Sequence, residues 1–170
     1  FGDVECRCIA ECEELKDLTH LYLELNKITE QGMALLASSE YLQNVTLLSL
    51  DRNKIGDKGF ISIIKSETFQ NLQVLMVENA GITDEGIKAL CEEECMKNLL
   101  RLYIEENNTT EEGFELMAEP EHLQQLEYPE FEREEEIEEE EEEEEEFEEV
   151  EDIEEIEEEE DLDETEYENR

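Results

Sequence analysis

The chain has 170 residues and a formal net charge of −43 at pH 7, from 55 acidic residues against 12 Lys and Arg. A surface this negative is repelled by anionic lipid and by nucleic-acid backbones and attracts basic proteins, so the predicted partner is a basic protein, with no nucleic acid and no membrane. No apolar stretch reaches the roughly 18 residues of a membrane span, and the start shows neither a basic n-region nor an apolar h-region; the reading is an intracellular protein, cytoplasmic or nuclear.

The chain opens with Phe1, Gly2, Asp3 and Ile9, which match Ile55, Gly56, Asp57 and Ile63 further on. It therefore starts in mid-repeat and without an initiator Met, and a fragment of a longer repeat protein is expected. Four full units follow at a constant period of 27 residues. The first carries Leu18, Leu21, Leu23, Asn26, Ile28, Gly32 and Leu36, and the second Val45, Leu48, Leu50, Asn53, Ile55, Gly59 and Ile63. The third carries Leu72, Leu75, Val77, Ala80, Ile82, Gly86 and Leu90, and the fourth Leu99, Leu102, Ile104, Asn107, Thr109, Gly113 and Met117. Ala80 and Thr109 are the departures. A fifth unit begins at Leu123, Leu126 and Tyr128, but Phe131 stands where Asn is due, and Pro120 and Pro129 interrupt it, so the repeats are expected to end at 129.

Within a unit, the alternation of Leu21 and Leu23 has strand period, while Met33, Leu35 and Leu36 have helical spacing. Each unit is therefore strand, loop, helix. Thr29, Thr83 and Thr110 suit helix N-caps, since a hydroxyl accepts from orphan amides and acids follow in the first turn; Gly56 takes that place in the second unit. The Asn at 26, 53 and 107 can bond backbone at the bend after each strand, a ladder from which Ala80 removes a rung. One unit alone cannot bury its apolar side, so stacked units share a continuous core. The fold class is α/β: a repeat solenoid over 1–129.

Residues 130–170 differ in kind. They hold 29 Asp and Glu against 2 Arg, a balance of −27, too little apolar surface to offset about 1–2 kcal/mol of backbone entropy per residue. A disordered acidic tail is expected. Phe147, Val150, Ile153 and Ile156 recur every three residues, but on a helix they spread over half the circumference, a poor amphipathic stripe. Capture of basic proteins, weak cation binding and simple solubilisation all remain open for it.

If Leu21 and Leu23 point inward, the residues beside them project from the other face of the sheet. One outward column is Glu24, Asp51, Glu78 and Glu105; its neighbour is Tyr22, Ser49, Met76 and Tyr103. Adjacent strands lie about 4.8 Å apart, so neighbouring carboxylates repel by about 1 kcal/mol even at water-like dielectric. That cost suggests a cationic partner, and the aromatic and Met side chains suit a protein surface. A merely solvated face, with Arg52 and Arg101 pairing locally with Asp51 or Glu105, is the competing reading.

Chemistry-bearing residues are sparse. Cys6, Cys8, Cys12, Cys91 and Cys95 could suggest a soft-metal cluster, but Cys6 aligns with Met33, Phe60, Ile87 and Phe114, and Cys91 with Ile64 and Ala37, so both read as core thiols. His20 and His122 have no adjacent nucleophile, and each Gly32-type residue recurs as punctuation rather than as one phosphate loop. No enzyme, catalytic residue, metal or cofactor is predicted.

The pattern Leu48, Leu50, Asn53, Ile55, Gly56, Asp57, Gly59, followed by a helical apolar run, resembles the ribonuclease-inhibitor class of leucine-rich repeats over residues 1 to about 128. That resemblance implies a curved solenoid with parallel strands on its concave face and helices on its convex face. With its acidic tail, the layout is also similar to that of the Ran GTPase-activating proteins, which implies a small GTPase as an alternative partner of a longer parent; the arginine loop of that family is not found here, so no catalytic role is carried over. The favoured expectation is a monomeric protein-protein interaction module that binds a basic partner through its concave face and tail.

Overall fold

The protein is described from a computed structural model covering residues 1–92, 96–118, 120, 123 and 126. The chain divides after Pro129 into two units, Phe1–Pro129 and Glu130–Arg170, and only the first holds described residues. The expected acidic tail, Tyr128, Phe131, Pro129, His122 and Cys95 therefore lie outside the described residues.

Helix α1 (Asp3–Ala10) leads through a 3₁₀ turn at Glu13–Leu15 into strand β1 (His20–Tyr22), and the same strand-to-helix step then repeats. It gives α2 (Glu30–Ala37), β2 (Leu47–Ser49), α3 (Gly56–Ile64), β3 (Val74–Met76), α4 (Asp84–Glu92), β4 (Arg101–Tyr103) and α5 (Glu111–Glu115), with a second 3₁₀ turn at Leu116–Ala118. The four strands form one parallel sheet in chain order. His20, Leu47, Val74 and Arg101 are in register, and so are Leu21, Leu48, Leu75 and Leu102, each 27 residues from the next. The sequence period is thus the sheet register itself.

The strands are short because a strand here has to place only two inward side chains before the chain turns. Leu48, Leu75 and Leu102 are buried, and so are Leu50, Val77 and Ile104 one pleat later. Behind them lie Ile28, Ile55 and Ile82, then the helical column Met33, Phe60 and Ile87, all at or below 1% exposure. A further column, Leu42, Phe69 and Met96, closes the core between each helix and the next strand; it was not read from the sequence. Each such burial is worth about 1.5–3 kcal/mol, but only when a neighbouring coil covers it. Leu123 and Leu126 of the fifth unit are buried too, so the core continues past the fourth coil.

Polar ladders join the coils where the leucines leave backbone groups uncovered. Asn53 is 2% exposed; its amide nitrogen donates to the Leu23 and Leu50 carbonyls, both at 2.8 Å, while its oxygen accepts from the Ile28 N–H at 3.0 Å. Asn107 repeats the arrangement, donating to Val77 at 2.8 Å and Ile104 at 2.6 Å and accepting from the amides of Ala80 and Ile82. Asn26, in the first coil, bonds its own bend through the Leu23 and Glu24 carbonyls. The expected ladder is present, and Ala80 interrupts it.

Two further ladders escaped the sequence reading. Asn44, Asn71 and Asn98 each donate to a carbonyl 28 residues back, on Lys16, Gln43 and Gln70. At the helix starts, Asp3 accepts from both the amide and the hydroxyl of Thr29, Asp57 from those of Thr83, and Asp84 from those of Thr110. The same three threonines cap their own helices through Oγ1, at 3.2–3.3 Å from an amide of the first turn. Partial burial pulls the Asp3 carboxyl up, but the bonds from Thr29 and the Gly32 amide outweigh it and hold the group below its ordinary range. Glycine is required beside these carboxylates: a Cβ on Gly86 would lie 2.7 Å from Ile82 Cγ2 and 2.8 Å from Asp57 Oδ1. The Glu30–Gly56 step has neither Asp nor Thr; there Gly56 (φ +59°) donates to the Ala80 carbonyl at 3.0 Å, and Lys58 pairs with Glu30 at 3.4 Å.

Candidate protein-binding face

Each strand ends in a corner built on one left-handed residue: Leu25 (φ 58°), Arg52 (57°), Asn79 (49°) and Glu106 (54°). In the first three the turned amide donates to a carbonyl of the next coil, on Asp51, Glu78 and Glu105 respectively. These corners fix the residue just before each of them, and those residues are Glu24, Asp51, Glu78 and Glu105. The carboxylate column predicted from the period is therefore held in line by backbone geometry, with all four side chains partly exposed.

Crowding alters their chemistry. Asp51 Oδ1 accepts from the Glu78 N–H at 2.8 Å, and Ser49 Oγ lies 3.5 Å from Asp51 Oδ2. Burial, together with the charge of Glu24, nevertheless holds the Asp51 carboxyl above its ordinary value; Arg52 acts the other way as the smallest influence. Glu78 is raised as well, first by burial and then by the charges of Asp51, Glu105 and Glu106. Glu105 Oε2 is buried and finds no hydrogen-bond partner among the described residues. The row is anionic and under mutual repulsion.

The neighbouring column is less uniform than predicted. Tyr22 is 57% exposed, and Met76 and Tyr103 are partly exposed, but Ser49 is fully buried. Its short side chain lies in register between Tyr22 and Met76 and is directed to Asp51, so Ser49 is corrected from a contact residue to a spacer beneath larger neighbours. A third outward column was missed: His20, Leu47, Val74 and Arg101, two residues before the Tyr22 column and of the same parity. Leu47 and Val74 are only partly covered there, while His20 and Arg101 are exposed. The face thus has an apolar middle of Leu47, Val74 and Met76, tyrosines at its two ends, and carboxylates along one margin.

The thiols sit as aligned. Cys6 is fully buried in the core, and burial followed by the charge of Asp3 pushes its thiol up to about 11. Cys91 packs at the edge of the core with Sγ 3.4 Å from the Leu116 carbonyl; Cys8 is exposed and Cys12 half-buried. Among the described residues no group of three or more His, Cys, Asp or Glu could hold a metal ion, and no described helix is long and apolar enough to cross a membrane. His20 is exposed at the sheet, its Nδ1 2.8 Å from Thr19 Oγ1.

A stack of identical coils that buries one side of a parallel sheet and leaves the other open defines a repeat solenoid, a class whose binding surface is that open face. The family model described as leucine-rich repeat matches residues 15–37, 41–63 and 70–91, so the coils of this stack are leucine-rich repeats. The structure of an internalin from Listeria monocytogenes is similar at 18% identity and a TM-score of 0.44, over 75% of this chain and 38% of that one. The chain thus spans well under half of that protein. No curated protein matches the sequence.

Proposed function

We propose that this protein is an intracellular, monomeric interaction module whose open sheet face binds a basic segment of a partner protein, with the acidic stretch 130–170 adding to the attraction. One observation carries the reading: Glu24, Asp51, Glu78 and Glu105 each precede a left-handed corner that keeps them abreast although their charges oppose one another. A cationic group set against the row removes that repulsion, so binding gains from relief as well as from direct attraction. The exposed Tyr22 and the partly exposed Tyr103 and Met76 supply the apolar contact that charge alone lacks.

The test compares the full chain with its Glu24→Gln, Asp51→Asn, Glu78→Gln, Glu105→Gln variant, both retaining 130–170. A fluorescent lysine-rich peptide titrated by anisotropy at physiological salt is expected to bind the variant about tenfold more weakly. Equal affinity for the two proteins would leave the tail as the whole source of attraction and end the proposal for the face.

A further inference from the structure

Resting on that reading, the geometry also specifies the conformation of the bound segment. We infer that the open face accepts an amphipathic, cationic α-helix of a partner protein, laid across the strands with a Lys/Arg stripe on the carboxylate row and an adjacent apolar stripe on Leu47, Val74, Met76, Tyr22 and Tyr103.

Period separates a helix from an extended segment here. The carboxylates recur once per coil, about 4.8 Å apart, so the row from Glu24 to Glu105 runs about 14 Å across the sheet. A helix lying along the row returns the same side to the surface every 5.4 Å or so, and four positions on successive turns span about 16 Å, so each basic side chain stays within about 2 Å of its carboxylate. An extended segment on the same course repeats a side every 6.6 Å or more and falls about 2 Å behind at each coil, out of step by the third. An extended segment turned to run with the strands would stay in contact with a single coil and meet one carboxylate.

The width of the face agrees. The carboxylate column lies two residues from the Tyr22–Met76–Tyr103 column and four from Leu47 and Val74. That places the apolar strip about 7–13 Å from the charges, a separation a helix about 10 Å across bridges with two neighbouring stripes.

The decisive probes are two fluorescent 14-residue peptides of identical composition, titrated against the full chain. One carries four Lys at i, i+4, i+7 and i+11 with four Leu one position along; the other alternates the same four Lys and four Leu over eight consecutive residues, with the same six remaining residues flanking them. The helical pattern is expected to bind about tenfold more tightly and to gain helical circular dichroism on binding. Tyr22→Ser, at an exposed site, is expected to weaken the helical peptide severalfold and leave the alternating one unchanged. Equal affinities, tighter binding of the alternating peptide, or no gain in helicity would overturn the helix. If both peptides still lose affinity when the carboxylate row is neutralised, the basic-partner reading survives that result; if neither does, both readings fall together.

Discussion

Replacing Asn53 with alanine isolates what joins one coil to the next. The side chain is 2% exposed and makes bonds of 2.8, 2.8 and 3.0 Å to Leu23, Leu50 and Ile28. Leu23 keeps a second donor in Asn26, so the losses fall on the Leu50 carbonyl and the Ile28 N–H. Stranding a buried backbone group costs about 1–3 kcal/mol, and two such groups in the lower half of that range set the expected destabilisation at about 2–4 kcal/mol. For a domain of this size that lowers Tm by very roughly 10 °C. Urea unfolding followed by circular dichroism should show a lower midpoint at unchanged slope, the sign of lost stability rather than a changed unfolded state. Asn26→Ala is the internal comparison, because Asn26 serves only its own bend, and its cost should stay near 1 kcal/mol. Ala80→Asn is the converse: the added amide faces the Leu50 and Val77 carbonyls from a corner of matching geometry and should stabilise by about 1 kcal/mol. A loss below about 0.5 kcal/mol for Asn53→Ala, or equal losses at 26 and 53, would refute the idea that this ladder ties the coils.

Other substitutions test other parts of the account. Because burial and neighbouring charge hold Glu78 above its ordinary 4.5, its protonation favours the folded state, a gain present below the unfolded value and lost as pH rises through the folded one. Glu78→Gln should therefore stabilise the fold at pH 7 by about 1 kcal/mol, from a Coulomb estimate at strand spacing, with the advantage gone below pH 4; a calorimetric pH series reads it. Arg52→Asn, at φ 57°, should stabilise by up to about 1 kcal/mol through relief of left-handed strain, and unchanged thermal unfolding would show the corner to be unstrained. Gly86→Ala, which places a Cβ 2.8 Å from Asp57 Oδ1, should destabilise by about 1–3 kcal/mol despite alanine's better helix propensity. Cys6 should resist a thiol reagent in the folded protein while Cys8 reacts, and comparable labelling of both would contradict its burial.

The fold was readable because one spacing governs everything: a leucine at 21, 48, 75 and 102 fixes strand, register and core at once. The threonine caps and the Asn rungs followed from side-chain chemistry at the same period. What stayed hidden depends on contacts between coils rather than on a residue's own neighbours in sequence. The Asp57–Thr83 bridge links groups 26 residues apart, and nothing in either residue alone announces the pairing. The left-handed corners were silent because Leu25, Arg52 and Glu106 are not residues that normally mark such a turn. Ser49 was misplaced because alternation reports which way a side chain points and not how far its neighbours overhang it. The column of Leu47 and Val74 was legible by parity, but apolar residues in a strand read first as core.

The most direct trial of the central claim is amide hydrogen exchange on the full chain, with and without a saturating cationic helical peptide. Added protection is expected to concentrate at residues 20–25, 47–52, 74–79 and 101–106, the strands and their corners. Protection confined to α1–α5 or to the acidic stretch 130–170, with those four segments unchanged, would contradict it.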